Sequence, residues 1–136
     1  MPALVGRTVG GQPLDVGRLV GRGILVINVW ASWCENCRAE SLVLAQAARR
    51  HEATFVGIDV QDSAEKADRM VARAGIRYPQ LSDPDGALLG TLSLLPRQGI
   101  PSTLVVDRHG LMAGRVIGAV TAPQLQRLLD DISRNP

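Results

Sequence analysis

The 136-residue chain is 46% hydrophobic and 21% charged with a formal net charge of +2, the profile of an ordinary soluble globular domain, and one domain over residues 1–136 is expected. Its basic residues, mostly Arg, are spread along the chain and aromatics make up only 3%, so neither a basic stripe nor a stacking platform for bases can be built and nucleic-acid binding is disfavoured. The longest apolar stretch, Ile24 to Ala31, is broken by Asn28 and falls far short of the roughly 20 residues that cross a bilayer.

Residues 1–23 hold six glycines and predict an N-terminal extension of short strands joined by turns around VGGQPL, packed on a sheet edge. ILVINVW (24–30) is β-branched and apolar on both faces, as a central strand covered by helices would be. An alanine-rich helix is predicted from about Asn36 to His51, closed by Arg49 and Arg50, whose charge suits a helix C-terminus. ATFVGIDV (53–60) reads as a second buried strand. After it comes a helix that Asp62 or Ser63 caps and Gly75 closes. Tyr78 to Gly86 is rich in Pro and Asp and predicts no element, while a short helix is expected around Ala87 to Ser93. A hairpin of Thr103–Val106 with Leu111–Ile117 turns at Asp-Arg-His-Gly, and from Thr121 a helix with Pro123 in its first turn and Leu125, Leu128, Leu129 and Ile132 on one face ends the chain. The order β-α-β-α-β-β-α implies an α/β fold with a mixed central sheet and helices on both faces. The chain shows no repeat and no linker that would divide it.

The two cysteines, Cys34 and Cys37, stand just after the first buried strand, in WASWCENCRAE. A cysteine at a helix N-terminus faces unpaired N–H groups and the positive end of the helix dipole, which favour the thiolate and lower its pKa from about 8.5. Cys34 is the expected nucleophile. Cys37, one turn on, is the expected resolving thiol for a mixed disulfide formed at Cys34. A closed zinc site needs four ligands, and His51 and His109 lack ligand-like spacing with the cysteines, so no metal is expected and both histidines read as surface residues. Trp30 reads as core and Trp33 as an exposed groove residue.

The run V-x-V-W-A-x-W-C-x-x-C followed by R-x-E, the lead-in VGGQPLDVGRLVGRGILVINVW and the downstream GIPSTLVVDRHG resemble the TlpA/ResA branch of thioredoxin-fold thiol-disulfide oxidoreductases over about residues 10–132. The resemblance implies a thioredoxin-like fold, exchange of a Cys34–Cys37 disulfide or dithiol with protein substrates, and no cofactor, because the electrons reside in the two sulfurs. It implies an extracytoplasmic reductant of apocytochrome c or other exported thiol proteins, with a membrane donor of the CcdA/DsbD type and a monomeric state. MPALVGRT carries no export signal, so a leader or anchor is expected outside this chain, with a cytoplasmic protein as the alternative.

Within that pattern Pro101 matches a cis-proline facing the disulfide, Ile100 offers backbone to an extended substrate, and Trp33 supplies apolar surface to the groove. Asn28 stands where thioredoxins have a buried acid under the second cysteine. Asp62 matches an acid that could help deprotonate Cys37, with Asp59 as an alternative and a helix cap as the plainer role for Asp62. Leu42 replaces the proline usual five residues past the second cysteine, so the customary kink is weak or absent. Glu35 and Asn36 stand between the cysteines, and a carboxylate beside Cys34 opposes a second negative charge, favouring the disulfide and hence a reducing protein. An oxidase on the same scaffold and a module binding a soft metal or a client without turnover are the alternatives. Ala31, where peroxiredoxins place Thr or Ser, disfavours peroxidase activity.

Overall fold

The computed structural model describes residues 3–93, 95–96 and 99–134. It opens with two antiparallel strands, β1 (Val5–Arg7) and β2 (Pro13–Asp15), and a single 3-10 turn, Val16–Leu19, which Asp15 caps by accepting the Gly17 N–H. The main sheet follows: β3 (Leu25–Trp30), β4 (Thr54–Val60), β5 (Gln80–Asp83), β6 (Ser102–Val106) and β7 (Met112–Ile117), in the spatial order β5-β4-β3-β6-β7. β3, β4 and β5 run parallel, whereas β6 lies antiparallel to β3 and β7 antiparallel to β6. The N-terminal hairpin meets the edge of this sheet, where Thr8 bridges to Leu81 and the Val9 N–H donates to the Gln80 carbonyl oxygen.

Among the described residues four helices complete the fold: α1 (Glu35–Ala48), α2 (Ala64–Ala74), α3 (Ala87–Thr91) and α4 (Ala122–Ser133). Every residue of β3 is buried, because helices cover both faces of the strand. On one face Val26, Phe55 and Val105 pack with Leu44 and Ala47 of α1 and with Leu125, Leu129 and Ile132 of α4. On the other, Leu25, Ile27, Val29, Val56 and Ile58 join Ala67 and Met70 of α2, Leu89 of α3, and Leu4 and Val16 of the N-terminal extension. The expected α/β architecture with an N-terminal hairpin is therefore observed.

Local signals set the helix ends. The Ser63 hydroxyl accepts the Lys66 N–H to start α2, and Gly75, at φ 70, ends it in the left-handed conformation that glycine adopts freely. Thr121 and Gln124 form a reciprocal capping box at α4, with Pro123 in the first turn. Two expectations need adjustment. α1 closes at Ala48 rather than His51, with Arg49, Arg50 and His51 finishing in tighter i→i−3 bonds, and α3 is shorter than Ala87–Ser93.

The segment from Tyr78 to Gly86, for which no element was expected, contains the edge strand β5. Gln80 and Asp83 are buried there because each has a partner. Gln80 Oε1 accepts from Trp30 Nε1 at 2.6 Å, and the Asp83 carboxylate accepts the Leu88 and Leu89 N–H groups that open α3. Gly57 makes room for this arrangement, since a Cβ there would overlap the Gln80 amide.

Candidate active site

α1 begins directly after the C-terminal end of β3, so Cys34 becomes its N-cap: φ −91, ψ 113, with Sγ accepting the Cys37 N–H at 3.3 Å. Cys34 and Cys37 are joined as a disulfide with a Cα–Cα distance of 5.3 Å. Cys34 is 8% exposed and Cys37 is 1% exposed, so the first cysteine is the more accessible of the two. Glu35 and Asn36 are both exposed in the first turn of the helix, Glu35 next to Cys34.

The second loop reaches the same end of the sheet. Val29 pairs with Ser102, which brings Pro101 beside the end of β3. The Ile100–Pro101 bond is cis. Ile100 packs against the cluster that holds both cysteines, the Pro101 carbonyl accepts the Gly118 N–H at 2.8 Å, and the Ser102 hydroxyl donates to the Gly99 carbonyl. Trp30 is buried among core residues, as expected, while Trp33 is 55% exposed with its indole N–H tied to the Gln61 carbonyl at 3.0 Å.

One helical turn past Cys37 lies a group that sequence reasoning did not select. Glu40 sits on α1 three residues past Cys37, hence on the same helix face one turn away, and only 2% of it is exposed. One carboxylate oxygen accepts from Asn28 Nδ2 at 2.7 Å and the other from the Val120 N–H at 2.8 Å. Burial raises its pKa above 4.5, while the bonds from Val120 and Asn28 pull the other way. Asn28 Nδ2 also donates to the Ser102 carbonyl and to Thr103 Oγ1, which ties the Glu40 site to the residue after Pro101. Position 28 thus holds an amide, and the buried acid arrives from the helix instead. The R-x-E that follows the cysteines was the available signal, with Glu40 at i+3 from Cys37.

Asp62 lies elsewhere in the network. Its carboxylate accepts from the Ser32 N–H at 2.7 Å, the Ser32 hydroxyl at 2.6 Å and the Ser63 N–H at 2.9 Å, pinning the loop before Cys34 to the start of α2. Burial alone would raise its pKa, but the bonds from Asp59, Ser32 and Ser63 together hold it below the usual carboxylate range. Neighbouring Asp59 is the opposite case. Burial first, then the hydrogen bond and charge of Asp62, then the charge of Asp68, push it up to about 9, so near neutral pH a protonated Asp59 donates to an ionised Asp62. Oδ1 of Asp59 has no hydrogen-bond partner among the described residues. His51 and His109 are exposed, at the end of α1 and in the β6–β7 turn.

With the geometry in view, comparison with known proteins gives a consistent picture. Residues 1–115 match the AhpC/TSA family. The thiol:disulfide interchange protein DsbE of Allochromatium vinosum is 33% identical over 112 residues, covering 82% of this chain and 60% of that protein. The thiol-disulfide oxidoreductase ResA of Bacillus cereus is 22% identical over 135 residues, covering 97% of this chain and 76% of the relative. This chain therefore spans less than two thirds of that DsbE. A secreted Mycobacterium tuberculosis disulfide oxidoreductase homologous to Escherichia coli DsbE superposes with a TM-score of 0.85 at 23% identity, over 94% of this chain and 95% of that one.

Proposed function

This chain belongs to the AhpC/TSA family, and we propose that it is a thiol-disulfide oxidoreductase of the DsbE/ResA type that reduces protein disulfides outside the cytoplasm through Cys34 and Cys37. The observation that carries this reading is the placement of the pair. Cys34 caps the helix at 8% exposure, Cys37 is sealed at 1%, and a buried acid, Glu40, follows one turn further along α1.

The reaction follows from that asymmetry. In the reduced protein, the Cys34 thiolate, favoured by the α1 N-terminus, attacks one sulfur of a substrate disulfide, forming a bond from Cys34 to that sulfur and releasing the other as a thiolate. Cys37 then loses its proton, attacks Cys34 Sγ and closes the intramolecular disulfide, releasing the substrate as a dithiol. Cys37 is too buried for water to take that proton readily. Glu40, on the same helix face, is the acceptor, its affinity for a proton increased by burial.

The proton-handling role considered for Asp62 passes to Glu40, since a carboxylate that accepts so many hydrogen bonds is a weak base. Asp62 instead positions Ser32 and the loop leading to Cys34. Ile100 and Trp33 offer backbone and apolar surface to an extended substrate beside the cysteines.

Glu35 beside Cys34 opposes the thiolate and favours the disulfide, so electrons flow from this protein to its substrates. Exported thiol proteins such as apocytochrome c are the substrate class, and a membrane dithiol donor of the CcdA/DsbD type re-reduces the monomer. Support for the compartment comes from the secreted M. tuberculosis protein of the same fold. Two measurements test the reading: insulin reduction by the wild type against Cys34→Ser, and a reduction potential against glutathione. A potential well below that of DsbA, about −120 mV, is expected, and a value near it would make the protein an oxidase.

A further inference from the structure

Between α1 and α2 runs an open groove of about 580 Å3 to which neither the cysteines nor the Ile100–Pro101 loop contributes lining. From α2 it takes Lys66, Arg69, Met70, Arg73 and Ala74, positions i, i+3, i+4, i+7 and i+8, which form one helix face. The three cations are exposed along the rim, while Met70 and Ala74 are buried at the floor. α1 adds a fourth cation, Arg38, and the apolar Leu42, which is 55% exposed. Glu65 and Asp68 share the helix with the cations but do not line the groove, so every charged group lining it is positive. Among the described residues none of the four cations makes an ion pair. Trp33, which immediately precedes Cys34, borders the same groove.

We propose that this groove docks a short acidic segment carrying apolar side chains, supplied by the protein substrate whose disulfide is exchanged at Cys34. The proposal rests on the exchange reading above and adds the substrate class to it. Charge complementarity fixes the sign of the partner: four cations without a counter-charge select carboxylates, and Leu42, Met70 and Trp33 select an apolar residue among them. The size fixes its length. Lys66 to Ala74 spans about 12 Å of helix, which an extended chain crosses in about four residues. A flat anionic membrane would meet the rim cations but could not reach the floor, so the concavity favours a peptide.

The test uses two readouts. Anisotropy of a fluorescein-labelled, cysteine-free peptide of alternating Glu and Leu measures docking without thiol chemistry, beside a Lys/Leu control peptide. The triple variant Lys66→Gln/Arg69→Gln/Arg73→Gln neutralises the rim without adding like charge beside Glu65 and Asp68, and Leu42→Asn is a second, milder variant on the exposed apolar side.

The Glu/Leu peptide is expected to bind the wild type and Cys34→Ser equally, to bind the triple variant about tenfold more weakly, and to be released by salt. In turnover, kcat/KM for a disulfide flanked by Glu and Leu is expected to fall by the same factor in the triple variant, while reduction of neutral 2-hydroxyethyl disulfide is unchanged. Equal binding of the two peptides, binding indifferent to rim neutralisation, or charge-dependent sedimentation with phosphatidylglycerol vesicles without peptide binding would overturn the proposal. Failure of the wild type to turn over 2-hydroxyethyl disulfide would instead strike the exchange reading, leaving anisotropy to decide docking.

Discussion

Glu40→Gln separates the proton-accepting role of this side chain from its shape. The carboxylate accepts from two buried donors, Asn28 Nδ2 at 2.7 Å and the Val120 N–H at 2.8 Å. A glutamine presents one oxygen and one NH2, so in either orientation a donor faces a donor. Asn28 cannot turn to compensate, because Nδ2 also donates to the Ser102 carbonyl and Thr103 Oγ1. Leaving one buried donor unpaired costs about 1–3 kcal/mol.

The pH dependence of that cost has a definite sign. Folding raises the Glu40 pKa above 4.5, so the folded state holds the proton more tightly than the unfolded chain, and the wild type loses stability as pH rises from 4.5 to the folded value. Glutamine has no such loss. The stability deficit of the variant in urea melts should therefore be largest near pH 4 and shrink as pH rises. In exchange, Ellman's reagent reacting with the reduced protein releases one thiolate when Cys34 attacks and a second when Cys37 resolves. The first phase should persist, and the second should slow about a hundredfold, the usual contribution of a general base. A second phase within twofold of wild type and with an unchanged pH profile would refute the role given to Glu40.

Asp59→Asn should flatten the dependence of stability on pH. Folded Asp59 keeps its proton to about 9 against 3.8 for the free group, so its contribution is full below pH 4 and lost as pH rises towards 9, by at most about 1.4 kcal/mol per pH unit. Asparagine can still donate to Asp62, and parallel urea midpoints for the two proteins from pH 5 to 8.5 would contradict this. Gly57→Ala should cost about 3 kcal/mol in thermal or urea unfolding, because the new Cβ expels the Gln80 amide and strands Trp30 Nε1; a loss under about 0.5 kcal/mol would show that the site relaxes freely. Asp62→Asn should lower stability by about 1–2 kcal/mol while leaving the pH profile of the second Ellman phase in place, and a displaced profile would return the proton role to Asp62.

What could be read from the sequence was local in origin. The helices after Ser63 and Thr121 carry their start signals within one turn, and Gly75 carries a stop. Pro101 and the cysteine pair were found through a motif, and Trp30 through its place at the end of a buried strand. β5 escaped because Gln-Leu-Ser-Asp looks like a loop until Trp30, 50 residues earlier, and the start of α3 supply partners for Gln80 and Asp83. Glu40 escaped for the same reason: a charged helix residue reads as solvated, and only Asn28, 12 residues before it, and Val120, 80 residues after it, make its burial affordable. Asp62 reads from the sequence as an acid that could help deprotonate Cys37 or as a helix cap, but its partners, Ser32 above all, decide what it can do.

The central claim is that Cys34 attacks and Cys37 resolves. The direct measurement is trapping of the mixed disulfide in the two single variants, each incubated with a peptide disulfide and analysed by intact mass under acid quench. Cys37→Ser should accumulate one peptide covalently attached at Cys34, and Cys34→Ser should accumulate none, its remaining thiol being sealed at 1% exposure. An adduct on Cys37 in the Cys34→Ser protein, formed as fast as that on Cys34, would contradict the account.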